Sequence, residues 1–476
     1  MSITSTDLIY SSPLFVLVGS ALLTLVAEAM GKDKPILSYW MSIIGVVTSL
    51  VLSFAHLDSG IPVFGEMLFQ GGFAGYCNII FLSSALLSIL LAKGYLERME
   101  CHRGEFYILI MFATSGMMLM AGALNLITVF LGIELMSVSL YILAGFMRRK
   151  TRSNESALKY FLLGAFATGF LLYGIALIYG MSGTTNLLLI HQSYGTLIKN
   201  PLFLVGCGLM LIALSFKASA VPFHMWAPDV YEGAPTPVTG FMSTAAKAAA
   251  FATFLLLFGR IFTIGGTTLS HVLAFVAAAS MIVGNITAIA QTSVKRMLAY
   301  SSIAHAGYML SGVAAANPEG ETGVLFYLLV YTFMNVGAFG IVSWIEQQDD
   351  KKLTLDDYAG LASRRPLIAA LMSIFMFSLA GIPPFAGFFG KYYVFLAAVK
   401  ANMTWLAIIG VLTSLISAYY YLRLVVMMYF REGDADVEKA VPVTALVAVA
   451  AAALLVIVLG IFPSLVVDLT RGFFKI

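Results

Sequence analysis

The sequence predicts an all-α polytopic membrane protein of about fourteen transmembrane helices, built around two inverted five-helix repeats (spans 4–8 and 9–13) with broken helices 7 and 12. Three observations predict it. Hydrophobic residues make up 60% of the chain and charged residues 11%, with a mean hydropathy of +0.93, far from the balance of a soluble globular domain. The apolar runs are about 18 to 30 residues long, which suits bilayer-crossing helices rather than alternating barrel strands. Two of these runs are overlong, and each is interrupted by proline.

Taken in order, the candidate spans fall at about 13–30, 38–57, 72–92, 106–123, 125–147, 155–181, 202–230, 238–262, 268–290, 297–315, 322–345, 366–400, 402–430 and 441–470. No basic cluster precedes the first run in MSITSTDLIYSSP, so that span is expected to be retained rather than cleaved as a signal peptide. Residues 1–104 hold the first three spans. The first repeat is expected over 105–265 and the second over 266–432, and an odd number of crossings makes the second inverted relative to the first. A last helix lies within 433–476.

Spans 7 and 12 carry the interruptions. Pro222, in FKASAVPFHMWAPDVYEG, removes a backbone donor in mid-span, and Gly381, Pro383, Pro384, Gly387 and Gly390 do the same in SLAGIPPFAGFFGKYYVF. Irregular backbone at membrane depth is tolerated where it lines a polar cavity. Paired interruptions in corresponding halves point to a transporter whose site lies at the repeat interface.

The cations give the orientation. With the N-terminus outside, inner loops hold seventeen Lys and Arg, among them Arg148, Arg149, Lys150, Arg152, Lys295, Arg296, Lys32, Lys34, Lys351, Lys352 and Lys439, against five outside: Lys199, Arg260, Lys400, Arg471 and Lys475. Both termini are thereby placed on the outer side. Lys159 and Arg423 lie near enough to span ends to snorkel.

Lys217, Lys247 and Lys391 do not. An ammonium at membrane depth costs about 3 kcal/mol or more, so its position calls for a use. Glu134, nine residues past Asn125, lies about 13 Å into a hydrocarbon layer of about 30 Å, and Lys247, nine past Val238, reaches a similar depth. On the repeat register Glu134 has His305 as its rough counterpart, and imidazole exchanges protons near neutral pH. Burial disfavours the charged form of an amine or a carboxyl and pairing restores it, so a Lys217 that gains or loses Glu134 binds or releases a proton. Ser137, Ser219, Ser243 and Thr244 are candidate hydroxyls between the charges. The bland alternatives are an ion pair that only fixes helix register, a packing histidine and ordinary proline kinks.

Composition also limits the chemistry. The net charge is +3 without a polybasic tail, which offers nothing to a nucleic acid. Cys77, Cys101 and Cys207 are scattered and form no ligand-spaced set, and no Gly-rich nucleotide loop is present. No cofactor or metal is expected in this chain.

The strings LGIELMSVSLYIL, FKASAVPFHMWAPDVYEGAPTPVTGFMSTAAKAAAF, KRMLAYSSIAHAGYML and GIPPFAGFFGKYYVF together resemble the antiporter-like membrane subunits of respiratory complex I, the proton-translocating NADH–quinone oxidoreductase, over about residues 100 to 430. Lys391, where one subunit of that family is expected to carry glutamate, and a chain ending soon after its last span, where another is expected to be longer with a lateral helix, favour the smallest of these antiporter-like subunits. The resemblance implies a controlling ion pair of Glu134 with Lys217, a central relay at Lys247, His305 on the hydrophilic axis, and Lys391 exchanging protons with the outside. It further implies neighbouring complex I membrane subunits as partners, with quinone, FMN and iron–sulfur clusters held by partner subunits, and a bacterial inner-membrane location. The alternatives are a subunit of a multisubunit cation/proton antiporter and a structural anchor whose charges only hold neighbours.

Overall fold

The computed structural model describes residues 3–31, 35–347, 353–435, 441–471 and 473; Lys32, Lys34, Lys351, Lys352, Lys439 and Lys475 lie outside them. The apolar runs form helices in sequence order. These are α1 (Ser5–Tyr10), α2 (Ser12–Met30), α3 (Pro35–Ala55), α4 (Gly72–Arg98), α5 (Glu105–Gly122), α6 (Leu126–Ala144), α7 (Thr151–Ser182), α8 (Leu187–Leu197), α9 (Pro201–Ala218), α10 (Trp226–Gly233), α11 (Thr236–Phe241) and α12 (Lys247–Phe254). After them come α13 (Thr268–Ile289), α14 (Val294–Ala315), α15 (Pro318–Ile345), α16 (Leu361–Arg364), α17 (Pro366–Ala380), α18 (Ala386–Lys400), α19 (Thr404–Phe430), α20 (Val443–Ile461) and α21 (Ser464–Arg471). Among the described residues, twelve helices are long and apolar enough to cross a bilayer. A small hairpin, β1 (Ile61–Val63) with β2 (Leu68–Gln70), and the short α8 are additions the hydropathy pattern does not announce.

Both overlong runs are broken. Ser219, at φ +59°, ends α9, and the chain restarts as α10 at Trp226, whose indole Nε1 donates to the Phe216 carbonyl 3.0 Å away and ties the two halves together. Gly381, at φ +86°, ends α17, a conformation glycine adopts without the cost a side chain would meet. The segment carrying Lys247 departs from the continuous α-helix that its small residues suggest. Met242–Ala246 and Leu255–Ile261 are π-helical on either side of α12, and such turns often occur at functional positions.

The α6–α7 and α14–α15 hairpins are closed alike. Asn125 bridges Asn186 and Ser293 bridges Thr354, each through reciprocal backbone bonds: Leu126 N to Thr185 O and Leu187 N to Leu124 O, both 2.9 Å, then Val294 N to Leu353 O at 2.9 Å and Leu355 N to Thr292 O at 3.0 Å. Both bridging partners shift by the same 168 positions. Glycine packing repeats at that offset, since a Cβ on Gly116 would meet the Met136 nitrogen at 2.5 Å and one on Gly284 the Ala304 nitrogen at 2.6 Å. This register sets Glu134 opposite Ser302 and Ser137 opposite His305, one helical turn away from the Glu134–His305 match expected from sequence.

The core lies around α15 and the rod Thr236–Ile261, whose apolar windows are 94% and 100% buried. Outer helices such as α7 and α19 instead expose Phe166, Leu415 and Phe430, as a lipid-facing surface requires. One cation expected in an inner loop is placed differently. Lys295 stands in the first turn of α14 and is only 1% exposed.

Candidate functional site

The last turn of α9 carries Lys217 inward, 6% exposed, where its Nζ donates to Ser137 Oγ at 2.7 Å and to the Tyr141 hydroxyl at 3.3 Å, with the Tyr141 ring centroid 5.5 Å away. Glu134, Ser137 and Tyr141 stand at i, i+3 and i+7 on α6, so they share one face. Glu134 is nevertheless not in contact with Lys217: no ion pair within 4 Å joins them among the described residues, and Glu134 accepts from Thr168 Oγ1 at 2.8 Å. The expected direct pair is thus opened by one turn, with the Ser137 hydroxyl beside the amine. Glu134 is held instead by Thr168 of α7, a partner that hydropathy does not encode.

Lys247 begins α12, directly after the π turn, and is 1% exposed. Its Nζ donates to the Ser302 carbonyl at 2.6 Å and to the Ser302 hydroxyl. One turn along α14 lies His305, also 1% exposed, with Nδ1 2.7 Å from the Tyr327 hydroxyl and Nε2 3.0 Å from that of Tyr421, which is itself bonded to Ser301. A neutral imidazole held at both nitrogens donates at one and accepts at the other, so it can take a proton on one side and give one up on the other. Three residues further on, Tyr308 accepts from Asn285 Nδ2 at 2.9 Å, and its ring lies 5.0 Å from the Lys391 amine.

Lys391 occupies the second half of its broken span, on α18, whereas Lys217 ends the first half of its own, so the two lysines are not in equivalent places. The break supplies the Lys391 site. The carbonyls of Leu379 and Ala380, left open at the end of α17, accept from Nζ at 3.0 and 2.9 Å, and Ser414 Oγ accepts at 2.8 Å. The negative end of a helix favours an ammonium there.

The structure therefore brings Lys247, His305 and Lys391 onto one polar line along α14, through Ser302, His305 and Tyr308 at spacings of three. Tyr231 of α10 lies near both Ser219 and Ser302. Of the hydroxyls expected from sequence, Ser137 touches an amine, Ser243 accepts from Asn335 Nδ2 at 2.7 Å, and Thr244 bonds Ser84 at 2.7 Å. Ser219 Oγ has no hydrogen-bond partner among the described residues. Ser302, Tyr308, Tyr327, Tyr421 and Ser414 do not stand out in the sequence, because serine and tyrosine are ordinary in apolar helices. For Ser302 and Tyr308 the one legible signal is the three-residue period in SSIAHAGY. Among the described residues no three His, Cys, Asp or Glu cluster tightly enough to hold a metal ion, and the cysteines are free.

The family model described as NADH:quinone oxidoreductase/Mrp antiporter, TM, matches residues 123–417. The NADH-quinone oxidoreductase subunit N of Trichlorobacter lovleyi is 48% identical over 466 residues, 96% of this chain and 95% of that protein. A chain of respiratory complex I from Thermus thermophilus, solved with bound aureothin, superposes with a TM-score of 0.85 at 35% identity, covering 96% of this chain and 99% of that one. A chain of the Mrp complex from Dietzia superposes with a TM-score of 0.86 at 22% identity over 99% and 97%, a likeness of fold alone. With 48% identity to a subunit N over nearly the full length of both chains and the family model matched over 123–417, the chain belongs to the NADH-quinone oxidoreductase subunit N family.

Proposed function

We propose that this chain moves protons across a bacterial inner membrane as the antiporter-like subunit N of complex I, coupled to quinone reduction in partner subunits that hold the FMN and iron–sulfur clusters. The observation that carries this reading is the polar line from Lys247 through Ser302, His305 and Tyr308 to Lys391 inside the buried core of the bundle. In the relay, Glu134 acts on Lys217 across the Ser137 turn, Lys247 receives the proton, His305 passes it, and Lys391 delivers it to the outer side. The matched bridges 168 residues apart support two repeats over 105–265 and 266–432, and the cation bias supports outward termini.

Lys391→Met tests the reading. It keeps the length of the side chain and removes the titrating group, so the assembled complex is expected to lose proton pumping by about tenfold or more. Normal pumping would remove Lys391 from the path. Ser137→Ala leaves the Lys217 ammonium short of an acceptor at membrane depth, an expected cost of about 1–3 kcal/mol to its charged form. Slower pumping in an intact complex is expected, and an unchanged rate would make that hydroxyl dispensable. The cation/proton antiporter reading shares this fold, but the 48% identity to a subunit N favours the first. Purification with sodium-transport partners and no quinone-site partner would reverse that preference.

A further inference from the structure

A buried ion pair lies away from the line of lysines. Lys295, in the first turn of α14, and Glu346, just past α15, are each 1% exposed, with Nζ and Oε1 3.7 Å apart. Lys295 also donates to the Ala234 carbonyl at 3.0 Å, and the Thr236 hydroxyl donates to Glu346. Ala234 and Thr236 join α10 to the rod that carries Lys247, so the pair sits where the broken span meets that rod. We propose that Lys295 and Glu346 form the inner proton-loading site that supplies Lys247, an inference that rests on the relay reading above.

Three further observations carry it. One peptide away from Ala234, Gly233 lines a polar cavity of about 190 Å³ together with Lys159, Asp229, Glu232 and Arg296. There Asp229 pairs with Lys159 at 2.8 Å and with Arg296 at 2.9 Å, and Arg296 reaches Glu232 at 2.9 Å. By the cation bias this is the inner face, so the cavity is a source of protons next to the pair. On the other side, Lys295 and Ser302 stand seven residues apart on one face of α14, about 10.5 Å along its axis, and Ser302 is what Lys247 holds. The buried phenols of Tyr95 and Tyr358 lie within electrostatic reach of Glu346, and neither hydroxyl has a hydrogen-bond partner among the described residues. The same holds for the indole of Trp344 and for the Tyr331 hydroxyl next to Ser302. A phenol hydroxyl both donates and accepts, so those beside Glu346 are placed to hand on a proton.

The step balances. The Glu346 carboxylate takes up a proton from the cavity, Lys295 releases one from Nζ towards Ser302, and the carboxylic acid then returns its proton to the amine. One proton has moved from the cavity side towards Ser302 and the pair is restored. A staple that only holds α11, α14 and α15 together would need the charges but no exchange.

The test uses the assembled complex, with proton pumping and assembly read separately and Lys247→Ala measured alongside. Lys295→Arg keeps a cation that does not deprotonate, and Glu346→Gln keeps the hydrogen bond to Thr236 without a titrating group. Both are expected to slow pumping by about tenfold or more. Tyr358→Phe removes a hydroxyl without a partner among the described residues, and a fall of about threefold is expected. Wild-type pumping in Lys295→Arg and Glu346→Gln, with Lys247→Ala impaired, would reduce the pair to a staple and leave the relay standing. If Lys247→Ala itself pumps normally, the relay and the loading site fall together. Should the two charge variants not assemble, Tyr358→Phe decides, and a normal rate there overturns the proposal.

Discussion

Lys247→Ala is expected to assemble into the complex and to lose quinone-linked proton pumping by about tenfold or more. The expectation comes from the geometry around the amine. Lys247 is 1% exposed, lies against a π turn and spends its donors on the carbonyl and hydroxyl of Ser302. No carboxylate within 4 Å neutralises it among the described residues, so its charge is held by dipoles alone. Such an arrangement carries a cost at membrane depth that packing does not repay. Removing the side chain takes away a buried charge and leaves Ser302 with its helix, so stability should hold while the proton path is cut between the inner side and His305. Pumping measured by a pH-sensitive dye, with assembly read on a native gel, checks it. An assembled complex with an undiminished pumping rate would end the relay role of Lys247, and loss of assembly instead would favour the anchor reading.

The second large effect falls on backbone. Gly387→Ala would place a Cβ 1.9 Å from the Ser378 carbonyl oxygen, where neither side is a flexible side chain. The Gly387 amide donates to Ser378 Oγ at 3.1 Å, and this pinch across the break keeps the Leu379 and Ala380 carbonyls turned towards Lys391. Forcing the halves apart is expected to destabilise the subunit by about 3 kcal/mol or more. It should also remove the acceptors of the Lys391 amine, so pumping falls further than stability alone accounts for. A lowered thermal midpoint of the solubilised complex, together with weakened pumping at temperatures where it remains assembled, checks both effects. Unchanged stability would mean that the break is looser than its contacts indicate.

The broken spans show how much the sequence says. Pro222 and the glycine–proline run at 381–390 announce two interruptions, and both occur. The use made of each interruption is less legible. At the first, the amine of Lys217 turns to side chains of α6, while at the second the amine of Lys391 takes the carbonyls that the break itself frees. The difference is one of position, since Lys217 precedes its break and Lys391 follows its own, and a half-helix offers open carbonyls only at its C-terminal end.

Lys295 shows the opposite failure. It lies at the edge of an apolar run, where cations usually reach water, and its burial depends on the end of α15 and the α10–α11 connection folding over it. Glu134 shares the face of α6 that meets Lys217, yet the amine bonds the Ser137 hydroxyl while Glu134 accepts from Thr168 of α7.

By itself the sequence determined the class of the molecule, the two breaks and the placement of Glu134, Lys217, Lys247, His305 and Lys391 within apolar spans, since each depends on local hydropathy and backbone chemistry. Only the tertiary structure decided which groups the amines touch, the π turn at Lys247, the three-residue line along α14 and the hidden pair Lys295–Glu346. Those depend on how helices far apart in the chain are staggered and rotated against one another, a displacement of a single turn being enough to exchange one polar partner for another.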